Sequence, residues 1–252
     1  MRIRTVLGIA LLALVVPAAA TAQSTSGGPA GGHIFFSVNG LGQAGDGEII
    51  DQSGSLTVYG ESATLTATQG VPLAAGVFDF GGGVRSDRFG VGVSFTASKT
   101  DTNGLAFAAI PHPFLFNRPR TVSSSIEGLE HSERVVHLQA YYFAPIHEKA
   151  EIGLFVGPSF YSVDQDYVTG LESFTESSNF ETVSVSLGRA TASDSQIGYN
   201  IGAEVTYRFT PNVGAAALLR FTRASPEFDF GGQPVTMNVG DMQFGGGLRL
   251  RF

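Results

Sequence analysis

The sequence contains no cysteine and no tryptophan, three methionines and only two lysines, Lys99 and Lys149. Without cysteine, no disulfide can staple the chain, so a small cross-linked scaffold is excluded. Without tryptophan, any aromatic belt must be built from Phe and Tyr. The scarcity of lysine and a net charge of −7 argue against a nucleic-acid partner. Long apolar runs are missing too. Beyond the first 22 residues nothing approaches the ~18 continuous apolar residues that a helical membrane span needs.

The first 22 residues read as a secretory signal. Arg2 and Arg4 form a positive start, Val6 to Val16 an apolar stretch, and Ala20-Thr21-Ala22 a small-residue cleavage site before Gln23. Cleavage leaves about 230 residues with a net charge of −9, since two arginines depart. Residues 23–32, rich in Ser and Gly, read as a flexible leader, and residues 33–252 as one β domain. An exported chain of this length has to fold without disulfides. A mean hydropathy of +0.14 is ambiguous, because a sheet with one face in lipid shows its apolar residues only at alternate positions.

That alternation is what the chain has in abundance. Ile34, Phe36 and Val38 oppose Ser37, Asn39 and Gln43. Phe78, Phe80 and Val84 oppose Asp79, Gly81, Gly83 and Arg85, and Phe89 to Phe95 is apolar at every odd position. Val136, Leu138, Ala140 and Tyr142 oppose His137, Gln139 and Tyr141; residues 152–163 make a further strand, and 197–209 alternate without interruption. Residues 213–222 and 242–252 complete the set. Successive strand residues point to opposite faces, so each segment has one apolar and one polar face.

The connections alternate between short (86–88, 145–150, 210–212) and long (44–73, 101–130, 164–194, 225–235). Tight turns at one end and long loops at the other characterise transmembrane barrels. The expected fold is all-β: a closed, antiparallel, up-and-down transmembrane β-barrel of eight strands, an even number that returns both termini to the periplasmic side. Ten strands is the alternative, since residues 56–59 and 63–67 can form either a hairpin above the membrane or further spans.

Parity then assigns the interior. Asp79, Arg85, His137, Gln139, Glu151, Glu204, Arg208, Arg220, Asp241, Gln243, Arg249 and Arg251 face inward. Arg or Lys facing lipid at mid-depth would cost roughly 2–4 kcal/mol each, which fixes the orientation. The expectation is a lumen charge network of Arg–carboxylate pairs that plugs a narrow barrel. A leaky pore lined by Arg208, Arg220 and Arg249 is the alternative. Inward glycines at 81, 83, 90, 92, 198, 202, 245 and 247 relieve crowding there. Phe89, Tyr142, Tyr207, Phe209 and Phe252 supply an aromatic belt near the periplasmic ends.

Chemistry is sparse. Gly81-Gly82-Gly83 lies inside a strand, with no helix after it to cradle phosphate. The five histidines show no metal-ligand spacing, and His131 and His137 lie about 20 Å apart along one strand face. Neighbouring residues of His131-Ser132-Glu133 point to opposite faces and cannot form a relay. No catalytic residue, metal or cofactor is expected. Two loop features remain. Pro111, His112, Phe114, Phe116, Arg118 and Arg120 form either a stiff loop over the barrel mouth or a recognition patch for a surface partner or lipopolysaccharide phosphate. The first and third loops are acidic (Asp46, Glu48, Asp51, Glu61; Asp164, Asp166, Glu172, Glu176, Glu181, Asp194), for solubility or for divalent-cation bridges to the outer leaflet.

The ending, Gly245-Gly-Gly-Leu-Arg-Leu-Arg-Phe252, puts Leu248, Leu250 and Phe252 on one face. This pattern, with the signal, the alternation and the loop asymmetry, resembles the small bacterial outer-membrane β-barrels of the OmpA/OmpX type. The resemblance covers residues 33–252 and includes no peptidoglycan-binding domain. It implies a non-enzymatic integral outer-membrane protein, structural or adhesive. Its expected surroundings are outer-membrane lipid and lipopolysaccharide, its assembly partner is the barrel-assembly machinery, which reads Leu248, Leu250 and Phe252, and it is expected as a monomer. A narrow solute channel is the first alternative, and a secreted soluble barrel holding an apolar ligand the second.

Overall fold

The computed structural model describes residues 33–44, 48–71 and 75–252. The predicted signal and leader, and Asp46 of the first acidic loop, lie outside the described residues. The strands, in chain order, are β1 (His33–Ala44), β2 (Glu48–Val58), β3 (Glu61–Val71), β4 (Ala75–Ser86), β5 (Phe89–Ile110), β6 (Arg120–His147), β7 (Ala150–Glu176), β8 (Val183–Arg208), β9 (Val213–Ala224), β10 (Glu227–Asp229), β11 (Pro234–Thr236) and β12 (Val239–Arg251).

Eight of them close a ring in the order β1-β4-β5-β6-β7-β8-β9-β12, every pairing antiparallel. Closure runs from Phe35 opposite Arg251 to Ala44 opposite Met242. Ile34 and Phe252 exchange two further backbone hydrogen bonds of 3.0 and 2.9 Å. A closed ring leaves no open edge among its members.

The lipid-facing rows follow the predicted parity. Phe78, Phe80, Val91, Val93, Leu138, Leu154, Ile201, Leu219 and Leu248 are all exposed on the outer wall. Such rows run for the nine to eleven residues or so that a tilted strand needs to cross a bilayer. Aromatic pairs stand at the short-turn end: Phe89 with Tyr142 (5.5 Å between centroids), Tyr207 with Phe209 (5.7 Å) and Phe36 with Phe252 (6.3 Å). On β5 the outward row changes to Lys99 above Ala97, and exposed Lys99–Glu130 (2.7 Å) and Arg134–Asp164 (4.0 Å) pairs mark the outer boundary.

Above that boundary the structure departs from the sequence expectation. The predicted breaks at 101–130 and 164–194 are mostly strand. β5 and β6 pair up to Ile110 opposite Arg120, and β7 and β8 up to Glu176 opposite Val183, leaving short tips at 111–119 and 177–182. Parity could not follow these strands for two reasons. Outside lipid, the outward face is no longer uniformly apolar: Ser and Thr predominate on upper β6 and β8, while Leu105 and Phe107 are exposed on upper β5. Register also shifts between Thr102 and Gly104, opposite Gly128 (φ 65°), and beside Gly170 (φ 132°), which inverts the alternation.

The predicted loop 44–73 holds the hairpin β2–β3. It stays outside the ring, because β3 pairs with the upper part of β5 (Thr64 opposite Ala109 to Gln69 opposite Gly104). The ring therefore has eight strands and not ten. Together β2, β3 and the upper halves of β5 and β6 form one leaf, and the upper β7–β8 hairpin another. Val58, Ala63, Leu65, Ala67, Ala106, Ala108, Ile110, Leu129 and Val168 pack between them as an extracellular sandwich core. The predicted loop 225–235 likewise contains the β10–β11 hairpin. Its Phe228 and Phe230, with the following Met237, bury against Ile50, Val135, Tyr161 and Val163 over the barrel mouth.

Candidate functional site

Inside the wall, polar side chains and rings fill the lumen. Arg220 on β9 is 1% exposed; its Nη1 meets Asp79 Oδ2 at 3.0 Å and donates to Ser94 Oγ at 3.3 Å, and its Nε donates to Gln243 Oε1 at 2.9 Å. Asp79 also accepts from Asn39 Nδ2 at 2.7 Å, and Gln243 donates to Gln43 at 2.9 Å. Guanidinium, carboxylate and carboxamides thus pair where water is scarce, which offsets most of the cost of burying them, although Arg220 Nη2 and Asn39 Oδ1 find no partner among the described residues.

His137 lies beside this network, across from Ser94, and its own hydrogen-bond partners are neutral. Its Nδ1 lies 2.7 Å from Ser159 Oγ and its Nε2 3.1 Å from Thr96 Oγ1. Asn200 Nδ2 donates to Ser159 Oγ (2.9 Å) and to the Gly157 and Pro158 carbonyls (3.0 and 3.1 Å), locking β8 onto β7. Tyr141 donates to Gln139 at 2.7 Å.

Two more ion pairs sit toward the periplasmic end: Arg249 with Glu204, and Arg85 with Glu151 at 2.6 Å. The Arg249 guanidinium lies 4.0 Å from the Phe35 ring centre, and that of Arg85 lies 4.3 Å from Phe143, so cation–π contact supplements each pair. Phe35, Tyr141, Phe143 and Phe155 pack edge to face and stacked around them. Glycine opposite makes the room: a Cβ on Gly83 would stand 2.7 Å from Phe35 Cζ, and one on Gly202 2.5 Å from Phe155 Cζ. Arg208 donates to the Glu148 carbonyl at 2.6 Å, and Arg251 is half-buried beside it at the rim. Asp241 is half-buried where β12 begins, with φ 108° after Gly240. The nine charged residues that parity turned inward, and His137 with them, therefore divide into separate groups spaced along the barrel.

Just above the outer boundary, His131 and Glu133 bond directly, Nε2 to Oε1 3.0 Å, and His131 Nδ1 lies 2.7 Å from Gln165 Oε1. Burial pushes the imidazole down, but the hydrogen bond and charge of Glu133, with Gln165, outweigh it and hold the pKa above its ordinary 6.5. Ser132 is buried but has no part in this pair.

At the far end, Arg120 pins the two tips together. It donates to the Phe180 carbonyl (2.8 Å) and the Pro111 carbonyl (2.6 Å) and pairs with Glu176, which also accepts from Tyr59 at 2.5 Å. His112 Nδ1 accepts from the Phe114 and Leu115 amides, and Phe114 packs edge-on against Phe180 at 5.3 Å. The apex itself points outward: Phe114 is 74% and Phe116 77% exposed, with Leu115 and Arg118 exposed between and beside them.

The greasy outer wall, the closed ring and the filled lumen agree with a comparison of the sequence itself: the family described as outer membrane protein beta-barrel domain matches residues 8–252. The chain belongs to that family. It is an integral protein of the bacterial outer membrane, in contact with outer-membrane lipid on its apolar wall. Among solved structures it is similar to Neisserial surface protein A (13% identity, 88% of this chain and 97% of that one, TM-score 0.43). It is also similar to Ail, the attachment invasion locus protein of Yersinia pestis (11%, 87% and 99%, 0.39), and to the outer membrane protease OmpT of Escherichia coli (11%, 91% and 99%, 0.39). Likeness at this level carries nothing about activity from those proteins to this barrel. No curated protein matches the sequence.

Sequence reasoning missed several residues that shape the barrel. Asn39, Gln43 and Ser94 had inward parity but no charge to draw attention. Asn200 likewise shares the inward row of its strand with Glu204 and Arg208 but carries no charge. Tyr59 and Glu176, 117 positions apart, offered none.

Proposed function

We propose that this outer-membrane barrel is non-enzymatic and non-conducting, and that it serves as a rigid stalk presenting its extracellular sandwich at the cell surface. The observation that carries the reading is the Arg220–Asp79 pair with Asn39, Gln43, Ser94 and Gln243, which occupies the middle of the lumen. Rings below it and the β10–β11 cap above it support the same reading. An eight-stranded ring encloses little more than its own side chains.

The surface-recognition segment is the 111–120 tip. Pro111, His112 and Arg120 brace it, Phe114 and Phe116 present apolar faces, and Arg118 adds one cation suited to an anionic partner. Leu248, Leu250 and Phe252 form the outward row of the closing strand and are the segment read by the assembly machinery; residues 1–22 direct export, and the barrel works as a monomer.

Planar-bilayer recording tests the first part. Purified barrel is expected to leave the membrane silent, and steady unitary steps abolished by charge reversal at Arg220 would establish a channel instead. A single cysteine at Leu115 tests the second, since the chain has none of its own. It is expected to react with a membrane-impermeant maleimide on intact cells, and protection there would remove the tip from the surface.

A further inference from the structure

Above the mouth, between the β2–β3 hairpin, the bend of β7 at Gly170 and the β10–β11 turn, lies a cleft of about 220 Å³. It exceeds the roughly 150 Å³ of an apolar cavity that takes up benzene, so a substituted six-membered ring fits. The chemistry of its lining is selective. Gln52, Thr169 and Gln233 contribute carboxamides and a hydroxyl, while Tyr167 and Phe230 contribute rings 4.7 Å apart. Among the described residues no charged side chain lines it, although the sequence around it is acidic. The nearby Asp166 carboxylate is already engaged by the Thr191 hydroxyl (2.6 Å) and the Glu130 amide (3.2 Å). Gln52 Nε2 is buried and has no hydrogen-bond partner among the described residues. A buried donor without an acceptor is costly, and rotation of the Gln52 side chain toward the cleft would let a ligand oxygen relieve that cost.

We infer that this cleft binds an uncharged saccharide unit. A neutral sugar ring offers hydroxyl oxygens to the carboxamides and an apolar C–H face to the aromatic rings. A phosphate or carboxylate would find no cation in the cleft, and a purely apolar ligand would leave the Gln52 donor unpaired. The inference deepens the surface-interaction reading and rests on it only in that the sandwich faces the cell exterior. The sugar comes either from a soluble surface glycan or from lipopolysaccharide in the same membrane.

The test is binding of methyl glucoside, methyl galactoside and N-acetylglucosamine to the folded barrel in lipid nanodiscs, read by calorimetry or by saturation-transfer NMR. Alkyl-glycoside detergents are excluded, because their headgroups belong to the ligand class. At least one neutral sugar is expected to bind, with glucuronate weaker. Gln52→Leu removes the donor and is expected to weaken binding by roughly three- to tenfold. Gly54→Leu fills the cleft from a position where a Cβ meets nothing within 4 Å, and is expected to abolish binding while heat-modifiable gel migration stays intact. Absence of binding by the unsubstituted protein, or binding undiminished in both variants, overturns the inference. Adding lipopolysaccharide to the nanodiscs separates the sources. Loss of soluble-sugar binding assigns the cleft to lipopolysaccharide, and retention assigns it to a soluble glycan. Since binding is read on purified protein, its failure is distinct from failure of the cell-labelling test above.

Discussion

Arg220 and Asp79 join strands that are not neighbours: their 3.0 Å contact ties β9 to β4 across the interior, with β12 and β1 lying between them in the ring. Both side chains are almost wholly buried. Removing one partner strands the other charge where water cannot reach it. Asp79→Ala is expected to cost about 3–5 kcal/mol, read as a lower urea midpoint for loss of heat-modifiable migration. The double variant Asp79→Leu/Arg220→Met is expected to recover most of that loss, because it removes both charges and their desolvation together. A double variant as unstable as the single one would mean that the pair is not the main term.

Gly202 and Phe155 test whether inward glycines are seats for rings. Gly202→Val places a side chain against Phe155 and the Leu219 carbonyl. Overpacking of this kind costs about 1–3 kcal/mol, more where backbone cannot move. Adding Phe155→Ala is expected to restore part of the stability, giving a positive coupling in the double-mutant cycle. Strict additivity would assign the glycine to backbone packing alone.

The staple between the extracellular tips responds to acid. The Tyr59 hydrogen bond first, and then Arg120, hold the Glu176 carboxyl below its ordinary 4.5. A depressed folded pKa contributes stability that is complete above 4.5 and disappears as pH falls through the lower, folded value. Protease cutting within 111–119 and 177–182 is therefore expected to rise on acidification, and Glu176→Gln is expected to be susceptible already at neutral pH. Both side chains of the pair are near the surface, so the effect is local and leaves the barrel midpoint unchanged.

His131 behaves in the opposite sense. Its raised folded pKa means that stabilisation by Glu133 is complete below 6.5 and is lost as pH climbs through the elevated value. The midpoint of the wild-type barrel is expected to fall on moving from mildly acidic to alkaline buffer by more than that of His131→Gln. Equal pH dependence in the two proteins would dissociate the imidazole from the mouth of the barrel.

Within the lipid-facing zone the sequence was close to sufficient. Val205, Leu219 and Leu248 had one admissible direction once Glu204, Arg220 and Arg249 had to avoid lipid, and the structure turns them that way. Above the boundary the same reasoning read loops at 101–130 and 164–194. There the outward face of upper β6 and β8 carries Ser and Thr, and bulges at Gly128 and Gly170 exchange the two faces, so a period of two no longer labels a strand. Water tolerates either residue class on the outer side, and the constraint that made parity readable is gone.

The direction of the membrane-crossing side chains followed from the sequence by itself, because a bilayer penalises a misplaced charge at every second residue and the penalty is local. Which inward residues meet was decided only by the tertiary structure. Asp79 finds Arg220, Tyr59 finds Glu176, and Gln52 comes to line a cleft with Phe230, through the tilt and stagger with which the strands close. That stagger is set by packing around the whole ring, a property that no single stretch of chain contains.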